Sequence, residues 1–286
     1  MQVADIAIAP LSEQTGAEVL GVDLTAPVER SMVERFNRAL ADHGVLVFRD
    51  PRLDAEQMFQ ASRLFGDVYP QKHEHHIGFH PLGEHPHVHS ISNEDRRSNG
   101  TAYVPGNGWH IDHTNALRPP KAIMLYAVQL PDRGGDTQFS NLALAYEGLP
   151  ADLRRQVDSL IALHPFKTPD NKRRRSQYFG GPSEAAIETV THPLVCTHPI
   201  TGRRALYLNP ARIKGIVGMA GVDALNLLED LRYRAIQPSF VFRHQWRPGD
   251  LVIWDNLSLM HRATDDYDMN QTRKLYRIMI KGDAPG

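Results

Sequence analysis

The sequence predicts a mainly β protein with peripheral helices, a sandwich or jelly roll, and three observations carry that expectation. Apolar runs of strand length recur at 45–48, 122–128, 251–254 and 275–280. Turn-forming residues bound them: Asp50 and Pro51, Gly134 and Gly135, and the tetrapeptide from Arg247 to Asp250. Helical periodicity is confined to a few inserted segments, which argues against a doubly wound sheet.

Taken in order, the first segment is mixed. Ser31 and Glu34 form a capping-box pattern and open a helix through about Ala41. Val45 to Phe48 is a strand. Asp54 caps a second helix carrying Met58, Ala61 and Leu64, with Gly66 as its stop. Ala122 to Val128 is a strand, and the Gly134, Gly135, Asp136 turn leads into Thr137. A helix is expected from about Leu153 to Leu163, since Leu153, Val157, Leu160 and Ile161 share one face. Val222 to Tyr233 is a further helix. The remaining strands run from Phe240 to Trp246, Leu251 to Trp254 and Leu275 to Ile280.

Composition bounds the function. The 286 residues suffice for a sizeable core, and a formal net charge of -1 gives no electrostatic case for nucleic acid or an anionic membrane. No stretch approaches the ~18 apolar residues of a membrane span. The N-terminus lacks a basic segment followed by an apolar run, so no secretory signal is expected. Cys196 is the single cysteine, which excludes an internal disulfide; it reads as a small core residue. These features together predict a cytoplasmic protein.

The chemistry is carried by His110, Asp112 and His261. Two imidazoles and one carboxylate are the ligand set of the facial triad of non-heme Fe(II) oxygenases. On a strand, residues two apart share a face, so His110 and Asp112 can aim at one point while Ile111 turns away. His261 must come from another strand. A surface strand is the alternative reading of a lone His-x-Asp pair. Arg273 and Arg277, four apart, also share a strand face, and two inward guanidiniums need anionic partners. They form either a pocket for a dicarboxylate and a second anion or, for Arg273, an exposed strand start beside Lys274.

The chain has 15 histidines, seven of them between His73 and His89. His85, His87 and His89 stand at period two, so a rival metal site in the style of a cupin-type oxygenase competes with a substrate-pocket histidine and with a polar lid or edge strand. The basic run from Lys172 to Arg175 is a solvated loop or a steering patch for an anionic substrate. Asn107 and Tyr103, just ahead of His110, line a substrate pocket or lie in an exposed loop. Trp109, Trp246 and Trp254 are expected inside the roll.

In order and spacing, eight features resemble the Fe(II)/2-oxoglutarate-dependent dioxygenases of the TauD/TfdA family, over about residues 8–282. They are Gly16 to Leu24, His43 to Phe48, Gly108 to Asp112, Leu130 to Thr137, His192 to Pro199, Gly202 to Asn209, Trp254 to Asn256 and the two arginines. The resemblance implies one domain over 1–286 with a double-stranded β-helix (jelly roll) and a variable lid or insert at about 165–190. It implies Fe(II) held by His110, Asp112 and His261, with 2-oxoglutarate and O2 as co-substrates. Thr137 and Arg273 match the groups that bind the distal carboxylate of 2-oxoglutarate, and Arg277 matches an arginine for the acidic group of the substrate. Asn107 and Gln71 complete the candidate substrate contacts.

Two departures stand out. The step from His261 to the arginines is one residue longer than in some members, which points to an insertion around Asp265 to Met269. Where taurine-binding members carry His and Tyr, this chain has Asp67 to His73 after Phe65 and Gly66, which argues against taurine. The expected activity is oxidation, by hydroxylation first of all, of a C–H bond in a small carboxylate- or sulfonate-bearing molecule, with release of succinate and CO2. A homo-oligomer is expected. The competing readings are the cupin-like oxygenase and a non-catalytic jelly-roll binding protein.

Overall fold

Two sheets packed face to face organise the chain. A computed structural model describes residues 6–70, 79–95, 99–165 and 189–286. In chain order the elements are β1 (Ala7–Pro10), β2 (Ala17–Leu20), α1 (Arg30–His43), β3 (Val45–Phe48), α2 (Ala55–Ser62), β4 (Phe79–Leu82), β5 (His85–Ser92), β6 (Ala122–Gln129) and β7 (Thr137–Asn141). There follow α3 (Leu142–Glu147), α4 (Ala151–Val157), β8 (Ile161–Pro165), β9 (Thr189–Pro193), β10 (Val195–Thr197), β11 (Arg204–Leu206) and β12 (Gly215–Ile216). The chain ends with α5 (Gly221–Ala235), β13 (Val241–His244), β14 (Leu251–Asp255), β15 (Leu259–Ala263) and β16 (Lys274–Ile280).

The larger sheet has the order β1-β2-β3-β14-β6-β16-β5-β4, and the smaller facing sheet the order β13-β7-β15. Every pair is antiparallel except β2 with β3. This is the jelly roll expected from the sequence, with strands that neighbour each other in space coming from distant parts of the chain.

Burial on both faces explains why the central strands read as continuous apolar runs. In β3, Val45 and Val47 face the smaller sheet, in a core with Phe139, Trp254 and Leu259. Leu46 and Phe48 face the opposite way, against Phe36 of α1 and Met58 of α2. Phe139 and Trp254 meet across the two sheets with ring centroids 5.4 Å apart. A third apolar cluster joins α3 and α5 to β10 and β11.

Several local expectations change. The helix through Phe36 opens at Arg30, not at a Ser31 capping box, and Glu34 pairs with Arg30 one turn back instead. Asp54 does form a reciprocal capping box, with Gln57. The helix expected to reach Leu163 stops at Val157, and residues 161–165 become β8 between β9 and β12. Along β8, Ala162 and His164 are buried while Ile161 and Leu163 are not, a period of two that a helix cannot produce. The expected lid, about 165–190, lies almost wholly outside the described residues, as does the run from Lys172 to Arg175. No helix among the described residues is long and apolar enough to cross a membrane.

Candidate active site

The site starts with an isolated antiparallel bridge. His110 N donates to His261 O at 3.0 Å, and His261 N donates to His110 O at 2.9 Å. A mutually bonded antiparallel pair puts both side chains on one face, and the two imidazole centroids lie 4.2 Å apart. Asp112, two residues on, turns the same way. Donor atoms of His110, Asp112 and His261 all fall within 4.8 Å of one another. Among the described residues this is the one group of three or more His, Cys, Asp or Glu with metal-binding geometry.

Each side chain is held ready to donate an electron pair. His110 Nδ1 is 2.7 Å from the Gly108 carbonyl, which makes Nδ1 the protonated nitrogen. Its Nε2 is left to face Asp112 Oδ1 at 3.4 Å. The His261 ring packs against Trp254 at 4.5 Å, and its buried Nδ1 has no hydrogen-bond partner among the described residues. Burial first, and then the neighbouring His110, keep the His261 imidazole well below its ordinary pKa despite Asp112. For Asp112, burial opposes ionisation, but the adjoining His110 and the charge of Arg277 hold its carboxyl well below the usual carboxylate range. A carboxylate and a neutral imidazole converging on one point, with an orphaned buried ring nitrogen, fit a divalent cation.

Arg273 and Thr137 form a second station. Arg273 is 4% exposed. Its Nε donates to Gly135 O at 2.6 Å, and Nη2 lies 3.4 Å from Thr137 Oγ1. Burial lowers the guanidinium to about 10, against the opposing influence of Tyr267 and Asp136. Asp136 is itself bonded to Arg243, Nε to Oδ2 at 2.7 Å. No carboxylate pairs with Arg273 among the described residues, so a buried cation faces a hydroxyl and awaits an anion. The glycine pair makes this approach feasible. A Cβ on Gly134 (φ 71°) would sit 2.4 Å from the Asp266 carbonyl oxygen, and one on Gly135 (φ 66°) would sit 3.1 Å from Arg273 Cδ. Trp246 Nε1 donates to Thr137 Oγ1 at 3.0 Å, a contact with no local sequence signal.

Arg277, in β16, reaches the first station, with Nη1 3.4 Å from Asp112 Oδ2. Its guanidinium carbon stands 5.0 Å from the centre of the Phe79 ring, and in the sheet it lies opposite His89. Arg273 is not an exposed strand start: both arginines are buried. Asn107 is exposed, in the turn whose Gly106 packs against His110. Gln71 lies outside the described residues, as do His73, His75 and His76.

The rival cluster does not assemble among the described residues. His85 Nδ1 lies 3.8 Å from Glu56 of α2, and His87 stacks on Phe59 of the same helix at 4.6 Å. His89 is buried opposite Arg277. A bulge between β4 and β5 at Pro81 and Leu82 interrupts the register there, so the regular two-residue alternation that would align the three imidazoles is not kept. Of the tryptophans, Trp254 is fully interior, while Trp109 and Trp246 are half-buried, Trp109 beneath the Arg262 guanidinium at 5.1 Å.

Comparison with known proteins agrees with this geometry. The family model described as "Taurine catabolism dioxygenase TauD, TfdA family" matches residues 7–279. Pentalenolactone F synthase of Streptomyces avermitilis is 33% identical, over 94% of this chain and 92% of that protein. The alpha-ketoglutarate-dependent sulfate ester dioxygenase of Pseudomonas putida is 31% identical, over 98% and 91%. The crystal structure of a taurine dioxygenase from Burkholderia xenovorans superposes with a TM-score of 0.80 at 39% identity, covering 98% of this chain and 90% of that one.

Proposed function

The chain belongs to the TauD/TfdA family of 2-oxoglutarate-dependent dioxygenases, and on that premise we propose a role for each side chain of the site. His110, Asp112 and His261 hold Fe(II). Arg273 and Thr137 bind the distal carboxylate of 2-oxoglutarate. Arg277 binds an anionic group on a small substrate, a carboxylate, sulfonate or sulfate ester, whose C–H bond is hydroxylated. The reading rests above all on the donor atoms of the three metal-site residues lying within 4.8 Å of one another.

When bound, the ferrous ion with 2-oxoglutarate supplies the O2-dependent oxidising power, with succinate and CO2 as by-products. The polypeptide supplies position. Arg273, fixed by Gly135 O and by its own backbone bond to Asn93 Oδ1 at 2.8 Å, presents its Nη2 side to the co-substrate. Thr137 offers a hydroxyl beside it. A bidentate guanidinium–carboxylate pair sets orientation as well as affinity. Arg277 anchors the substrate from the other side of Asp112, so the anchored group and the carbon to be oxidised are held at a set separation. Burial of both arginines keeps water from competing for their anions.

Substrate-dependent succinate release, screened over alkyl sulfates, sulfonates and aryloxyalkanoates, tests this reading. Asp112→Ala is expected to abolish both that release and Mn(II) binding. Undiminished turnover in Asp112→Ala would sink it. Gln71 and Asn107 as substrate contacts, a lid over about 165–190, a homo-oligomer and a cytoplasmic location belong to the same proposal. Light scattering on the purified chain tests the oligomer.

A further inference from the structure

His110 and Asp112 sit on a segment that has almost no sheet to support it. Its only ladder contact among the described residues is the single bridge from His110 to His261. Beyond that residue the backbone is gripped by two side-chain amides from far along the chain. Asn209 Nδ2 donates to Ile111 O at 2.6 Å. Asn256 holds Asp112 at both polar backbone atoms: Oδ1 accepts from Asp112 N at 3.1 Å, and Nδ2 donates to Asp112 O at 3.0 Å.

Each asparagine is anchored in turn. Asn209 Nδ2 also donates to Thr114 Oγ1 at 2.9 Å, and Oδ1 accepts from Ala211 N at 3.2 Å. Asn256 Nδ2 also donates to Pro120 O at 2.9 Å. Both residues are 0% exposed. A primary amide carries a donor and an acceptor in one plane, so it can grip the N–H and C=O of one residue as a neighbouring strand would. One such bond fixes a position; two fix a direction.

We propose that Asn209 and Asn256 are positioning residues that replace the missing ladder, aim the Asp112 carboxylate at the two imidazoles, and thereby set the affinity of the site for a divalent cation. The proposal rests on the metal-binding reading above. Loss of groups that orient metal ligands weakens metal affinity by about 10- to 100-fold. Either amide is therefore expected to matter on that scale, although neither touches the metal.

The test is Mn(II) binding by titration calorimetry on the full chain, with thermal melts alongside, for Asn209→Ser and Asn256→Ser. Met58→Ala serves as the control, because it removes core packing beneath α2 and lowers Tm without approaching the site. The expected result is a Kd raised about tenfold or more in both serine variants, and a Kd within twofold of the parent in Met58→Ala. Folded serine variants that bind Mn(II) as the parent does would overturn the proposal. So would a Met58→Ala protein that loses affinity equally, since general loosening would then explain the effect. Asn209→Ser carries the test alone where Asn256→Ser does not fold. A parent chain that binds no Mn(II) removes the metal-binding reading, and the proposal with it; a parent that binds alongside unaffected variants removes only the proposal.

Discussion

Arg277 and His110 share one carboxylate: Nη1 of Arg277 lies 3.4 Å from Asp112 Oδ2, and Nε2 of His110 lies 3.4 Å from Oδ1. One oxygen thus faces His110 and the other faces the arginine, whose guanidinium carbon stands 5.0 Å from the centre of the Phe79 ring. A charge-assisted hydrogen bond is worth about 1.5–3 kcal/mol, or about 10- to 100-fold in binding. Arg277→Ala is expected to raise the substrate KM by that factor and to leave the 2-oxoglutarate KM within twofold. Arg277→Lys keeps the charge but not the planar fork and falls between. Equal KM values for substrate in parent and Arg277→Ala, measured by succinate release, would remove Arg277 from the substrate site.

The opposite selectivity is expected at Gly134. Its φ of 71° strains any side chain, and an added Cβ would meet the Asp266 carbonyl oxygen at 2.4 Å. Gly134→Ala must shift the turn that delivers Gly135 O to Arg273. A several-fold rise in the 2-oxoglutarate KM, together with a lower Tm, is the expected outcome. A parent-like KM for 2-oxoglutarate would mean the turn does not set the Arg273 position.

Acid stability follows from His164. The ring is fully buried, 3.0 Å from Thr114 Oγ1 through Nδ1 and 5.2 Å from the His192 ring. Burial, and then the nearby His192, push it down to about 3. Its folded pKa lies below its unfolded value of about 6.5, so the unfolded chain binds more protons between those two values. Stability therefore falls as pH falls through that window, by at most about 1.4 kcal/mol per pH unit from this residue. His164→Gln should flatten the decline of Tm between pH 6.5 and 5. Parallel Tm-versus-pH curves for the two proteins would rule His164 out as a contributor.

Cys196 should be chemically silent. It is fully buried, and burial pushes its thiol up to about 12. A thiol reagent at pH 8 is expected to label the protein only after denaturant is added, and then at one site per chain. Rapid labelling of native protein would contradict the burial.

The three residues whose donor atoms converge were legible because part of their geometry is local: a His-x-Asp spacing carries its own strand-face logic, and His261, just after Trp254 to Asn256, completes a two-imidazole, one-carboxylate set from another strand. The clamps were not legible, because Asn209 meets Ile111 across 98 residues and Asn256 meets Asp112 across 144. No local pattern distinguishes such an asparagine from a turn former. Gly134 and Gly135 were readable as a turn, but not as the means by which a carbonyl reaches Arg273. The helix expected to reach Leu163 failed for another reason. Val157, Leu160 and Ile161 satisfy helical spacing, yet pairing with β9 and β12 decides the fate of residues 161–165. The Ser31 pattern was likewise overridden by a helix that begins at Arg30.

The larger sheet ends on β5 and β4, and that margin supplies Phe79 beneath Arg277 and His89 opposite it. An outermost strand has a neighbour on one side only, so altering it disturbs a single set of pairings. β16, which carries Arg277, is paired on both flanks, with β5 and with β6, and tolerates little revision. Directed evolution toward unfamiliar molecules should therefore begin at Phe79 and work inward, because there the chain can be rewritten with least injury to its folding.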